Sequence, residues 1–416
     1  MTMKVTYLRI LFINLFFALS GGLSANNEVD SWYEFDDDGQ TITGISYPAG
    51  ISHVNSEQSL IIPPQVTKVT ADAFSTIASY GVTLSELIID GGNPVFEMAD
   101  GANALASVKT TLCDIDMGSG MSVANMATLL EGLGSGNCLE SVVITNTSIP
   151  ADLQWTSEAL EQALTEDVRV ILPAALVGSQ VFGGAKVYGR FVIPEGIDLS
   201  SFCVTQTFRD TDDGSNLTFY IPKEVREQAL TGEKKLYIER VHFLVPHQGV
   251  LMHNASSTSS QCDLERIDPD NLESVAATRY ESDMAKYDYN MLVGVIVPTA
   301  IGRTETKSGV EYTNMILYNG SFYRTSGGTL GDHRAYLQVR TSDLSGMAAG
   351  AKLSVTYDDE STAISLPPVP SPMGEGSRYV YDLQGRKVTD NPSSLFSHSS
   401  FSKGIYIVNG KKIAIN

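Results

Sequence analysis

The run Ser59-Leu-Ile-Ile-Pro-Pro-Gln-Val-Thr-Lys-Val-Thr-Ala-Asp-Ala-Phe74 decides how the first half of the chain folds. Leu60-Ile61-Ile62 is a short apolar triplet of strand-forming residues. Pro63-Pro64 stops it, because proline cannot donate to a strand ladder. Similar segments return at Leu87-Ile88-Ile89, Leu112-Cys113-Asp114-Ile115, Val142-Val143-Ile144 and Val170-Ile171-Leu172. Counted between Ile62, Ile89, Ile115, Ile144 and Ile171, the steps are 27, 26, 29 and 27 residues. One such unit has an apolar face and nothing of its own to bury it against. Stacked parallel strands supply the missing partner, and the period is kept for that reason.

The segments between the triplets complete the unit. Val69 to Phe74 reads as a short helical turn with Phe74 pointing inward. Residues 122–134 read as a helix: Ser122 caps it, Gly134 closes it, and Val123, Met126, Ala127, Leu130 and Leu133 share one face. A second helix is expected over 158–164, capped by Thr156 or Ser157.

These residues resemble the BspA-like leucine-rich repeat of Bacteroidota surface proteins. The proline after the strand and the Ala73-Phe74 pair carry the likeness, with further matches at Leu84 to Phe96 and Leu139 to Ile144. The resemblance implies a degenerate leucine-rich-repeat solenoid over residues 40–190, whose period sits within or at the edge of the usual range of about 20–29 residues.

From Tyr188 the pattern becomes plain alternation, the mark of half-buried strands. Strands are expected at 202–208, 216–221, 235–245, 249–253, 291–297, 312–318, 321–325, 335–340 and 352–357. Asp213-Gly214 and Asn319-Gly320 are hairpin-type turn pairs, so residues 191–360 read as an antiparallel β-domain. Residues 254–290 are polar and read as an inserted loop. Val245 to Leu251, Asn290 to Gly294, Tyr312 to Tyr323 and Gly328 to Leu337 together resemble a β-domain that follows such repeats in surface proteins.

The prolines at 367, 368, 370 and 372 make 361–377 a semi-rigid linker. Beyond it, residues 378–416 are expected to form two or three strands, and they resemble a shortened C-terminal sorting domain of the type IX kind. At the other end, Lys4 and Arg9 precede the apolar run Ile10 to Leu19 and the small residues Ser20 to Ala25. That layout is a signal peptide at 1–25, with an apolar run too short to span a bilayer. The expected location is therefore extracellular or on the outer-membrane surface, with export machinery engaging both termini. No later segment is apolar for long enough to make a transmembrane helix.

Composition narrows the partners. The chain has 48 acidic against 28 basic residues, a formal charge of −20, which repels nucleic acid and anionic lipid. Cys113, Cys138, Cys203 and Cys262 form no C-x-x-C pair. An oxidising compartment permits disulfides among them in three pairings, while their scatter favours use as small buried hydrophobes.

Catalytic groupings are scarce. His247 and His253 would share one strand face, but no H-x-x-H or H-E-x-x-H spacing supplies further ligands, so they read as ordinary strand histidines. Asp36 to Gly39 and Asp210 to Asn216 read as solvated Asp-Gly turns rather than calcium loops. No phosphate loop, dinucleotide fingerprint or nucleophile elbow occurs, and no metal or cofactor is implied. Carboxylates are abundant, but a glycosidase pair is defined by spatial separation, which sequence does not carry.

Tyr312, Tyr318, Phe322, Tyr323 and Tyr336 fall in the expected hairpins. Alternation sends about half of such residues into a core, and the others are good anchors for sugars or proteins. The expectation is a mainly β protein with some α: a short leucine-rich-repeat solenoid, then an antiparallel β-domain and a small β-tail. Its expected work is non-catalytic adhesion to host protein or glycan, with Tyr312, Tyr318, Tyr323 and Tyr336 as binding candidates. A carbohydrate-active hydrolase and a structural surface-layer or fimbrial subunit are the alternatives.

Overall fold

The computed structural model describes residues 25–210, 215–229, 231–357, 380–382, 387–389, 404–408 and 411–415. The expected signal peptide up to residue 24 and the linker 361–377 lie outside the described residues, as does the Asp213-Gly214 turn. The protein is mainly β. Its contacts divide it into two units, residues 1–359 and 360–416.

The repeated triplets form a ladder. Strands β1 (Ser59–Ile62), β2 (Glu86–Ile89), β3 (Asp114–Asp116), β4 (Ser141–Val143), β5 (Arg169–Pro173) and β6 (Lys186–Ile193) pair in parallel, in chain order. The register puts Leu60, Leu87, Ile115, Val142, Val170 and Val187 in one row, and all six are buried. Each such side chain gains roughly 1.5–3 kcal/mol on burial, and only the neighbouring coils provide that burial. A second row of short parallel strands runs through Thr41–Ile45, Lys68–Val69 and Val95–Phe96, in the register Thr41, Lys68, Val95. Gln154–Trp155 pairs with Val181–Phe182 in the same manner. Each step in this row is again 27 residues. Phe74 is fully buried, as expected, against the edge of Phe96 at 6.5 Å.

Both expected helices form. In α1 (Val123–Glu131) the Ser122 hydroxyl accepts from Asn125 N, and in α2 (Glu158–Ala163) Ser157 accepts from Leu160 N. Met126, Leu129, Leu130 and Leu133 are buried, while Val123 and Ala127 are only half-buried, so the buried face is rotated slightly from the expected one.

The ladder does not stop at residue 190. Strand β6 pairs with β5 on one edge, and over Tyr188–Ile193 it pairs antiparallel with a later strand on the other. The later strands are β7 (Leu199–Cys203), β8 (Leu217–Glu227), β9 (Lys234–Val241), β10 (Gly249–Asn254) and β11 (Ser260–Arg266). They continue with β12 (Leu292–Val295), β13 (Val310–Tyr318), β14 (Ser321–Arg324), β15 (Arg334–Arg340) and β16 (Leu353–Tyr357). Strand β11 is the partner of β6, so the two strand regions share one sheet.

The remaining strands form a second sheet, in the order β7-β10-β8-β9-β16-β14-β13-β15-β12. All its neighbours along that order are antiparallel except β9 and β16, which run parallel. The sheet nearly closes into a barrel. Ser201 Oγ donates to Ala335 O at 2.9 Å, Cys203 N donates to His333 O at 3.3 Å, and Gln248 bridges Val293 across the gap. Two glycines permit this approach. A β-carbon at Gly249 would lie 2.6 Å from those of Ala335 and Leu292, and one at Gly294 would lie 2.4 Å from Cys203 Sγ.

The polar stretch 254–290 is not an inserted loop. It supplies β11 and the helix α3 (Ser274–Tyr287). Its polarity conceals two devices. Ser260, Cys262 and Leu264 alternate inward along β11, and α3 is fastened by polar groups. The buried Asp283 carboxylate accepts from His242 N (2.6 Å), Phe243 N (3.0 Å) and Lys286 Nζ (3.0 Å), while Tyr287 Oη donates to Phe243 O. Sequence periodicity detects apolar fastening only.

Among its described residues, the second unit has four short antiparallel strands where two or three were expected, in the order Lys387–Thr389, Val380–Asp382, Gly404–Val408, Lys411–Ile415. Among the described residues, no helix is long and apolar enough to cross a membrane. All four cysteines are free thiols. Cys203 and Cys262 are buried, as the hydrophobe reading expects, but Cys113 is half-buried and Cys138 is exposed.

Candidate binding cleft

The four candidate tyrosines lie on one outward face of the barrel: even-numbered positions of β13 and β15 point away from the interior holding Met315, Phe322, Leu337 and Val339, and Tyr323 of β14 stands opposite Ile316 on that same face. They do not form one surface. Strands Thr299–Ile301 and Gly328–Leu330 pair with each other, and Ile301 and Leu330 pack over Tyr336, which is 7% exposed. Burial also raises the Tyr336 phenol, helped by Glu305. Tyr318 is 65% exposed at the Asn319-Gly320 turn and meets the edge of Tyr323 at 6.2 Å. It borders a hollow of about 580 Å³ shared with Ile197 and Arg334. Phe322 belongs to the barrel core.

Tyr312 lies elsewhere, on the wall of a cleft of about 810 Å³. That volume falls within the range of about 300–1,000 Å³ of small-molecule sites. Four elements build it: the β8 bulge at Lys223, the turn Val245 to Gln248, the connection from α3 to β12, and the outward face of β13 and β15. The bulge is the break in register between Pro222 and Glu224, and a bulge re-aims the residue it inserts. Lys223 Nζ thereby sits 3.2 Å from Glu239, which also accepts from the Tyr289 hydroxyl.

The wall beside Tyr312 is a closed polar network. Gln338 Nε2 donates to Asn314 Oδ1 (2.9 Å) and Glu305 Oε2 (2.8 Å), while Gln338 Oε1 accepts from Lys307 Nζ (2.7 Å). Asn314 Nδ2 donates to Gly302 O at 3.0 Å. A satisfied network of this kind, centred on the buried Asn314 and Gln338 amides, holds those two side chains rigidly. On the opposite side, Asn290 donates to Gly249 O, and its own oxygen caps Leu292 N. This couples the cleft rim to the barrel seam.

His247 stands at the rim. It is the third residue of a turn closed by Gln248 N to Val245 O, and it takes φ +64. Pro246 pre-sets the preceding residue of that turn. His247 is exposed there, and His253 sits half-buried between Tyr220 and Tyr357, so the two do not form a pair. Among the described residues no grouping of three or more His, Cys, Asp or Glu is arranged to hold a metal ion.

Of the cleft residues, only Tyr312 was legible from sequence. Lys223, Gln248, Tyr289, Asn290, Gln338 and Arg340 come from four separate segments. The one local signal was Pro222 inside an otherwise alternating strand, which marks a bulge or an edge.

A different carboxylate group lies on the ladder. Register places Glu86 beside Asp114 on the outward face, with Asp116 two residues on. Burial, with Asp114 and Asp116 adding repulsion, pushes the Glu86 carboxyl up to about 7. Burial raises Asp116 as well.

No protein-family model matches this chain, and neither a curated protein nor a solved structure matches it.

Proposed function

We propose that the protein is an exported, surface-displayed binding protein that contacts glycan and does no chemistry on it. The observation that carries this reading is the 810 Å³ cleft, walled by Tyr289 and Tyr312 and by the amide of Gln248, over the rigid support of Asn290 and Gln338. Flat aromatic faces with fixed hydrogen-bonding groups suit a hydroxyl-rich ring. A concave site of this size favours glycan over a protein partner, which needs roughly 800 Å² of matching surface. The ladder's step of 27 or 28 residues from Leu60 to Val170 and its two strand rows support a short leucine-rich-repeat solenoid of the BspA-like kind. The layout of the first 25 residues and the resemblance of residues 378–416 to a sorting domain support export and a type IX-like sorting signal.

The test is binding of the purified mature protein to a glycan array and to immobilised matrix proteins. Glycan binding is expected, and silence on both surfaces overturns the proposal. Cell fractionation with mass spectrometry of both chain ends checks the export half. A hydrolase remains the second reading because of one observation: Glu86, raised to about 7, stands beside Asp114 as an acid beside a carboxylate would. Release of reducing sugar by the native protein, abolished in Glu86→Gln, would favour it.

A further inference from the structure

Resting on the glycan reading, we infer that the cleft is built for an uncharged oligosaccharide, not for a sialylated, uronic-acid or sulfated one. The charges lining it argue this. Lys223 and Lys307 face the cleft, yet each is already neutralised by a carboxylate behind it. Glu239 lies 3.2 Å from Lys223, and Glu305 lies 3.5 Å from Lys307. The remaining cation, Arg340, is exposed and has no ion-pair partner among the described residues. Asp343 and Asp288 line the same cleft, are likewise exposed, and also have no ion-pair partner there. A bound carboxylate or sulfate would gain Arg340 and meet both aspartates.

The far field points the same way. A chain of formal charge −20 repels an anionic ligand before contact. The uncharged groups are what the cleft has in surplus. Tyr289 is 40% exposed, Tyr312 is half-exposed, and Gln248 supplies an amide whose one side-chain partner among the described residues is Asn290, at a long 3.5 Å. An amide that both donates and accepts complements hydroxyl groups, which also do both. With Tyr289 and Tyr312 both lining the cleft, the ligand is a short chain of sugar rings rather than one.

The test uses the mature full chain on an array carrying neutral and acidic glycans, followed by titration with the best neutral hit. Binding confined to neutral glycans is expected. Its Kd should change less than about twofold between low salt and ten times that salt, because screening weakens only charge-driven binding. Tyr289→Ala and Gln248→Ala should each weaken Kd about tenfold or more, while Tyr80→Ala, an exposed aromatic on the ladder, leaves it unchanged. A preference for acidic glycans with steep salt dependence overturns the inference and leaves the glycan reading standing. So does neutral binding that ignores both cleft substitutions, because the site then lies elsewhere. Silence toward every glycan overturns both.

Discussion

Tyr312 and Arg340 stand directly opposite each other across β13 and β15, on the face that looks into the cleft. The pair puts an aromatic ring and a planar cation side by side, while the neighbouring Asn314–Gln338 pair locks the strands beneath them. The ring therefore binds with little freedom left to lose. Tyr312→Ala should weaken glycan binding by about 2 kcal/mol, roughly thirtyfold in Kd, and Tyr312→Phe should retain most of the affinity. Titration calorimetry of the three proteins checks this; equal losses in both variants would point to the hydroxyl instead of the ring.

The barrel seam rests on Gly249. Its missing β-carbon lets β10 close on Leu292 and Ala335, and both of those are backbone-proximal β-carbons with nowhere to move. Gly249→Ala should cost about 1–3 kcal/mol by overpacking. Since Asn290 donates to Gly249 O, the same change should disturb the cleft rim. Urea unfolding reads the stability, and a midpoint equal to that of the native protein would show that the seam has slack.

How far the fold could be read in advance follows from these two cases. The ladder was legible because Leu60, Leu87, Ile115, Val142 and Val170 repeat a local requirement in every coil. The strands around Asn319-Gly320 were legible because a type of turn and an alternation are both short-range. The pairing of β6 with β11 was not, since residues 188–193 and 260–265 carry no local mark of each other. Tyr336 illustrates the limit for the site. Alternation correctly assigns it the outward face, but whether that face is open depends on Ile301 and Leu330, which arrive from other segments. The cleft, assembled from four elements, is a property of closure and has no sequence period.

Helix α3 depends on a single carboxylate. Asp283 serves two backbone N–H groups and Lys286 from a site 1% exposed. Asp283→Ala leaves the amides of His242 and Phe243 without that acceptor, at an expected cost of about 2–4 kcal/mol. The loss should be local, because few apolar side chains hold the helix. Hydrogen exchange over 274–287 should accelerate far more than exchange over the ladder, and uniform acceleration across the chain would contradict this.

The ladder should also report pH through Glu86. Its carboxyl is raised from 4.5 to about 7, so the folded state holds the proton more tightly than the unfolded state does. The stabilisation is therefore fully present below about pH 4.5 and is lost as pH rises through about 7. Asp116, also raised, acts in the same direction. His53 opposes it: half-buried and stacked on Trp32 with ring centroids 3.5 Å apart, it has a pKa lowered by desolvation and destabilises the fold as pH falls below the ordinary histidine range. The two trends overlap, so the raw stability profile does not separate them. The difference between the native protein and Glu86→Gln does, because glutamine carries no proton to release while His53 is common to both. That difference should favour the native protein most near pH 4.5 and shrink steadily toward pH 7. A difference that stays flat across the window would place Glu86 in solvent, away from the influence of Asp114.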